Sequence, residues 1–294
     1  MNSNNMDFVD AGDYVIAVIC AAVIPCFNEA ETVGPLVLAL RPYLPWIMVV
    51  DDGSTDDTAM KAKDAGATVV RHERNRGKGA AFQTGLSHAL NLGFDWAATL
   101  DGDGQHSPAD LPALLQCAGE TGAPLIIGNR MHQAEAMPWL RRCVNHWMSR
   151  KLSQRARRHL PDTQSGFRLI HLQTWASLPL SARRFEVESE MLMAFLAANR
   201  SVEFVPVQVI AAARKSRIRP FADTVRWLKW WRKIAKPALS PRPSPPMGAR
   251  ERGCPRPVNN ARLVGARLFL QSREKPDGLP KFEISRPPAV VQKI

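Results

Sequence analysis

Thr99-Leu100-Asp101-Gly102-Asp103-Gly104-Gln105-His106 closes an apolar run, Phe94 to Leu100, with two carboxylates one residue apart, then an amide and an imidazole. In an extended segment residues two apart point the same way, so Asp101, Asp103 and Gln105 can converge on one side. Oxygen ligands at that spacing suit a hard divalent cation, Mg²⁺ or Mn²⁺, which usually shares its coordination with substrate phosphates. A polar turn after a strand accounts for the same residues, since Asp and Gly are ordinary turn formers. The segments upstream decide between the two.

Residues 15–128 alternate between short apolar runs and segments with helical signals. The runs are Val15–Ile24, Trp46–Val50, Thr68–Val70, Trp96–Leu100 and Leu125–Ile127. Between them, Ala30–Leu40, Asp56–Ala65, Gly79–Leu92 and Asp110–Ala118 carry helical spacing, caps or an N1 proline. This alternation predicts βαβ units on a mostly parallel sheet flanked by helices, an α/β fold. Ligands of such sheets bind beyond the carboxyl ends of the strands.

The strand ends are chemically loaded. The first ends in Pro25-Cys26-Phe27-Asn28-Glu29, where the aromatic can stack on a base and the acid can accept from a ribose hydroxyl. Glu29 also suits a first helical turn, where the macrodipole favours acids. Asp51 and Asp52 close the second strand, and two buried unpaired carboxylates are costly, so at least one should face a ligand or cap the next helix. After the third strand, Arg74-Asn75-Arg76-Gly77-Lys78-Gly79 offers glycines, basic side chains and a helix N-terminus to a phosphate. It is neither a Walker A loop nor a dinucleotide GxGxxG.

Taken in order, these segments resemble the family 2 glycosyltransferases of the GT-A fold, closest to the dolichyl-phosphate mannose synthase or polyprenyl-phosphate branch. Pro25–Glu29, Val49–Ser54, Arg74–Gly79 and Asp101–His106 carry the resemblance. So do Gly128-Asn129-Arg130, Asp162–Arg168 and Phe185–Glu190 downstream. The resemblance implies inverting transfer of a sugar from a UDP- or GDP-sugar, with Mg²⁺ or Mn²⁺ held by Asp101, Asp103 and Gln105. It places Pro25, Phe27, Glu29, Asp51, Asp52, Lys78, Gly79, Asp101 and Gly102 at the nucleotide-sugar. Arg130 and Arg168 are implied to bind phosphates, and Lys215 and Ser216 an acceptor phosphate, although Ala211-Ala212-Ala213 replaces the run that usually precedes that pair.

The acceptor decides whether a base is needed. A lipid phosphate is already an oxyanion and needs only positioning and charge compensation. A hydroxyl acceptor needs a general base, for which Asp162 is the candidate. Two basic, tryptophan-bearing stretches, residues 139–158 and Val225–Ile234, suit a membrane interface and favour a polyprenyl phosphate or other lipid-linked acceptor. A nucleic-acid groove would accept that composition too, but the signatures of nucleic-acid modules are missing.

Apolar residues make up 45% and charged residues 22%, the texture of a globular protein, and the net charge of +12 favours anionic partners. Tyr14–Pro25 is too short to span a bilayer and follows acidic rather than basic residues. The expectation is a cytoplasmic protein, peripheral at the inner face of the membrane. The five cysteines show no CxxC spacing, which predicts free thiols. The domain reading is an extension over 1–14, a GT-A domain over 15–236 split into nucleotide (15–128) and acceptor (129–236) halves, and a tail over 237–294. That tail holds eleven of the 23 prolines and is expected to be disordered.

Overall fold

The computed structural model describes residues 20–182, 186–210, 226–228 and 230–232. The 1–14 extension, the 237–294 tail, Lys215 and Ser216 lie outside them. Seven strands form one sheet in the order β3-β2-β1-β4-β6-β5-β7. They are β1 (Cys20–Cys26), β2 (Ile47–Asp51), β3 (Thr68–Arg71), β4 (Trp96–Thr99), β5 (Leu125–Asn129), β6 (Arg168–His171) and β7 (Val202–Pro206). All neighbours pair in parallel except β6, which is antiparallel to both β4 and β5.

The helices are α1 (Val33–Leu40), α2 (Thr58–Asp64), α3 (Lys78–Asn91), α4 (Leu111–Thr121), α5 (Trp139–Ala156), α6 (Leu172–Ala176) and α7 (Val187–Ala197). β1 shows why they cover both faces. Cys20, Ala22 and Ile24 pack with Leu36, Leu40 and Leu114 of α1 and α4. Ala21 and Val23 point the other way, among Phe82 of α3, Leu152 of α5 and Phe195 of α7. A strand buried on both faces has no polar alternation to show, so it reads as a continuous apolar run.

The chain runs outward from β1 through β2 to β3, then crosses back to place β4 on the other side of β1. The carboxyl ends of β1 and β4 therefore flank a topological switch point, where a crevice opens. Because β6 runs antiparallel, its beginning lies at this same edge, with Arg168 registered against Thr99. Asp162–Phe167, just before β6, thus join residues whose numbers are some sixty lower.

The second membrane-type stretch departs from expectation. Trp227 and Trp230 are buried in the cluster under α5 and α7. Trp227 stacks on Trp231 at 5.4 Å and donates its indole N–H to Ser189 Oγ at 3.0 Å. Those rings find protein partners, so they do not supply a membrane face. Cys20, Cys26 and Cys143 are free thiols, whereas Cys117 is disulfide-bonded, against the free-thiol reading.

Candidate active site

The switch point is tightly built. Thr32 Oγ1 donates to the Gly102 carbonyl at 2.6 Å, tying the start of α1 to the segment after β4. A Cβ at Gly102 would stand 2.5 Å from Cys26 Sγ, so only glycine lets this segment lie against β1. Asn28, at φ 57°, donates its N–H to Ser54 Oγ, and its Oδ1 accepts from the Thr55 N–H at 2.7 Å. The loops after β1 and β2 are thereby stitched together. Phe27 is 37% exposed and Glu29 half-buried beside them, which leaves both at the crevice.

The sequence expectation is that at least one of Asp51 and Asp52 faces a ligand or caps the next helix; the structure gives both internal partners. Asp51 is fully buried, accepts from the Ser54 N–H at 3.0 Å and pairs with Arg71 at 3.1 Å. Asp52 accepts from the N–H groups of Arg76 and Gly77 at 2.9 and 2.8 Å and contacts His72 Nδ1 at 2.7 Å. His72 Nε2 in turn meets Thr84 Oγ1 at 3.0 Å. Asp52 therefore shapes the Arg74–Gly79 loop. The cost of burying two acids is met by internal partners.

That loop delivers Lys78 as the first residue of α3, where the helix dipole disfavours a cation. Carboxylates offset this. Lys78 Nζ lies 2.7 Å from Asp101 Oδ1 and 2.5 Å from Glu188 Oε1. Burial alone would depress its pKa, but Asp101 and Glu188 outweigh burial and raise it. Asp101 is only partly buried, and against desolvation Lys78 and His106 hold it well below the usual carboxylate range. Gly166 packs so closely on Asp101 that a Cβ there would stand 2.4 Å from Oδ1. Gly79 is buried in the next position of α3.

Asp103 behaves in the opposite sense: burial and the charge of Asp101 raise its pKa. A carboxylate whose charge is opposed by a neighbouring carboxylate is what an added cation relieves, and His106 Nε2 stands 3.6 Å from Asp101 Oδ2 beside them. The pair therefore fits a divalent ion. Gln105 does not join it, because its Oε1 accepts from Arg141 Nη1 at 2.8 Å. Among the described residues no three acidic, histidine or cysteine side chains are grouped to hold a metal. Two carboxylates, with substrate phosphates and water completing the shell, match the chemistry of Mg²⁺.

Across the crevice, Arg130 and Asp162 form a buried bidentate pair, Nε to Oδ2 at 2.8 Å and Nη2 to Oδ1 at 3.0 Å. The Arg130 and Gln164 N–H groups also donate to Asp162. Burial opposes its charge, but Arg130 prevails and lowers its pKa. A fully buried carboxylate engaged on both oxygens is a poor proton acceptor, so the structure gives Asp162 a structural role. Arg168 is also corrected: it is 1% exposed and donates to the carbonyls of Ser165, Glu188 and Thr163. Burial lowers its pKa to about 10, and its guanidinium braces the loops rather than meeting a phosphate.

Three site residues escape the sequence reading. His72 and Arg141 stand in no strand-end motif, and Glu188 stands in a family-like segment without any spacing that assigns it to Lys78. Only tertiary structure brings them in.

A mostly parallel sheet with one reversed strand, an acidic pair at the switch point and cations around it define a GT-A glycosyltransferase. The glycosyl transferase family 2 model matches residues 21–173, and the chain belongs to that family. An uncharacterised glycosyltransferase of Mycobacterium tuberculosis is 35% identical over 190 residues, covering 64% of this chain and 82% of its own. The UDP-N-acetylglucosamine–dolichyl-phosphate N-acetylglucosaminyltransferase of Methanococcus voltae is 28% identical over 211 residues, covering 64% and 84%. Among solved structures, glucosyl-3-phosphoglycerate synthase from M. tuberculosis with Mn²⁺, UDP and phosphoglyceric acid superposes with a TM-score of 0.60 at 22% identity, covering 76% and 80%.

Proposed function

We propose that this glycosyltransferase moves a sugar, with inversion, from a UDP- or GDP-sugar to a polyprenyl phosphate at a membrane surface. The observation that carries the choice of acceptor is the Arg130–Asp162 pair. With Asp162 engaged, the candidate base for a hydroxyl acceptor is occupied, and a phosphate oxyanion needs none. The relative that acts on dolichyl phosphate supports the same reading.

In this scheme Phe27 stacks on the base and Glu29 accepts from the nucleoside. Asp101 and Asp103 hold Mg²⁺ or Mn²⁺, the ions present in solved structures of the synthase. When bound, the ion supplies Lewis acidity to the leaving diphosphate. Arg141, on the opposite wall, compensates the charge of the acceptor phosphate and holds its oxygen in line with the anomeric carbon, while Arg130 stays committed to Asp162. At the surface, α5 exposes Trp139 (70%) and Leu140 (46%) beside Arg142, a face suited to an anionic bilayer. No helix among the described residues is long and apolar enough to cross one.

The test is transfer from a panel of UDP- and GDP-sugars to undecaprenyl phosphate with Mn²⁺ or Mg²⁺. Wild type should form a lipid-linked monosaccharide and Asp103→Ala should not. Transfer to sugar hydroxyls with none to the lipid phosphate overturns the proposed acceptor.

A further inference from the structure

Lys78 presents a problem for any cation that binds Asp101. Its ammonium already stands 2.7 Å from Asp101 Oδ1, and both side chains are more than four-fifths buried. Two cations on one carboxylate repel each other, so Lys78 competes with a metal for Asp101. A lysine that simply let go would leave a buried ammonium uncompensated, which is costly. Glu188 changes that balance. It sits in the first turn of α7, is 4% exposed, and holds Lys78 at 2.5 Å through a second carboxylate. Lys78 is also fixed from below, its ammonium 5.5 Å from the centre of the Phe82 ring.

We infer that Glu188 is a positioning residue for metal loading: it retains Lys78 while Asp101 turns its charge from the lysine to the divalent ion. The inference rests on the reading of Asp101 and Asp103 as the metal pair. The lysine guards the acidic site when it is empty, and the glutamate lets the lysine yield without losing its partner. The two residues come from helices far apart in the chain, α3 and α7, so loading would also tie the segment after β3 to the segment after β6.

The inference predicts opposite signs for two substitutions. Glu188→Gln keeps the shape but removes one of the two carboxylates that hold Lys78, so Lys78 leans more on Asp101, and Mn²⁺ affinity should fall on the order of 10- to 10³-fold, the span of one charge interaction from water to a protein surface. Lys78→Met removes the competitor, and affinity should rise. The double variant should bind at least as tightly as wild type, because Glu188 matters only while Lys78 is present. Mn²⁺ binding is read by electron paramagnetic resonance with UDP or GDP, whichever wild type holds, with circular dichroism as the folding control. Glu188→Gln binding as tightly as wild type, or a double variant as weak as Glu188→Gln, overturns the inference. Where Glu188→Gln fails to fold, the double variant against Lys78→Met and wild type decides: affinity below wild type in both overturns it. Asp103→Ala that binds Mn²⁺ like wild type, or wild type that holds none with either nucleotide, instead overturns the metal-pair reading, and the inference falls with it.

Discussion

Around β1, β2 and β4 the acids of the site are held largely by backbone N–H groups a few residues away or across a neighbouring loop. Asp52 takes those of Arg76 and Gly77, Asp51 that of Ser54, and Asp103 that of Gln105. Beyond β5 the arrangement changes, and the acids are held by charge: Asp162 by Arg130, Glu188 by Lys78 of α3. A backbone-held acid loses little when its charge is removed, because a neutral amide still accepts a hydrogen bond. A buried ion pair has no such tolerance. Removing one member leaves the other desolvated and alone.

The sharpest test of that contrast is a matched pair of amide substitutions. Asp162→Asn should destabilise by about 3–5 kcal/mol, because Arg130 remains buried and charged. Asp52→Asn should cost about 1–2 kcal/mol, the range of a weakened buried hydrogen bond. Urea unfolding measures both, and a larger loss from Asp52→Asn breaks the comparison. Replacing the pair together, Arg130→Met with Asp162→Leu, should recover most of the stability lost by Asp162→Asn. The pH dependence follows from the lowered pKa of Asp162. A depressed carboxylate contributes its stability above its unfolded pKa of about 3.9 and loses it as pH falls through the native value. The gap between wild type and Asp162→Asn should therefore be full at neutral pH and close only below about pH 4.

The same contrast explains what the sequence makes legible. β2, β3 and β4 begin and end within two residues of the apolar runs that predict them, and Asp101 and Asp103 fall at the crevice in a turn just after β4 rather than in an extended segment. These features depend on neighbours along the chain. The fates of Asp162, Arg168 and Gln105 depend on Arg130, Glu188 and Arg141, which no local period relates to them. Asp52 is intermediate: its acidity after a strand is visible, but its partners, Arg76 and Gly77, are 24 and 25 residues away. The tryptophans near 230 mislead for the same reason, since a basic aromatic stretch looks alike whether its rings meet lipid or Trp147.

Gly166 lies directly against the Asp101 carboxylate, and it offers the next largest effect. Its added methyl in Gly166→Ala meets the Asp101 carboxylate, the far end of a short side chain, rather than the backbone. The clash can be relieved by moving Asp101, so the fold should survive. A displacement of about 1 Å at a reacting centre can lower turnover on the order of 10²-fold. Gly102→Ala is the informative partner, because its methyl meets Cys26 inside the buried β1 layer and should lower stability by about 1–3 kcal/mol. Turnover lost without stability in the first, and stability lost in the second, measured by initial rates and thermal unfolding, locates the strain in each. Equal stability losses would mean that Asp101 is not free to move.

The smallest change in stability should come from the exposed end of α5. Trp139 is 70% exposed and Trp227 is 2% exposed, though both lie in basic, tryptophan-bearing segments. Trp139→Ser removes few contacts and should stay within about 0.5 kcal/mol of wild type. Trp227→Ser empties a buried site and should cost about 3–5 kcal/mol. Sedimentation with phosphatidylglycerol vesicles reverses the ranking: Trp139→Ser should lose binding, while Trp227→Ser, below its melting temperature, should retain it. The reversal follows from where each ring spends its apolar surface. A ring already packed on Trp147 and Trp231 has none to offer a bilayer, whereas a ring left in water gains by entering one. Vesicle binding unchanged in Trp139→Ser would remove α5 from the membrane face while leaving the crevice and its chemistry untouched.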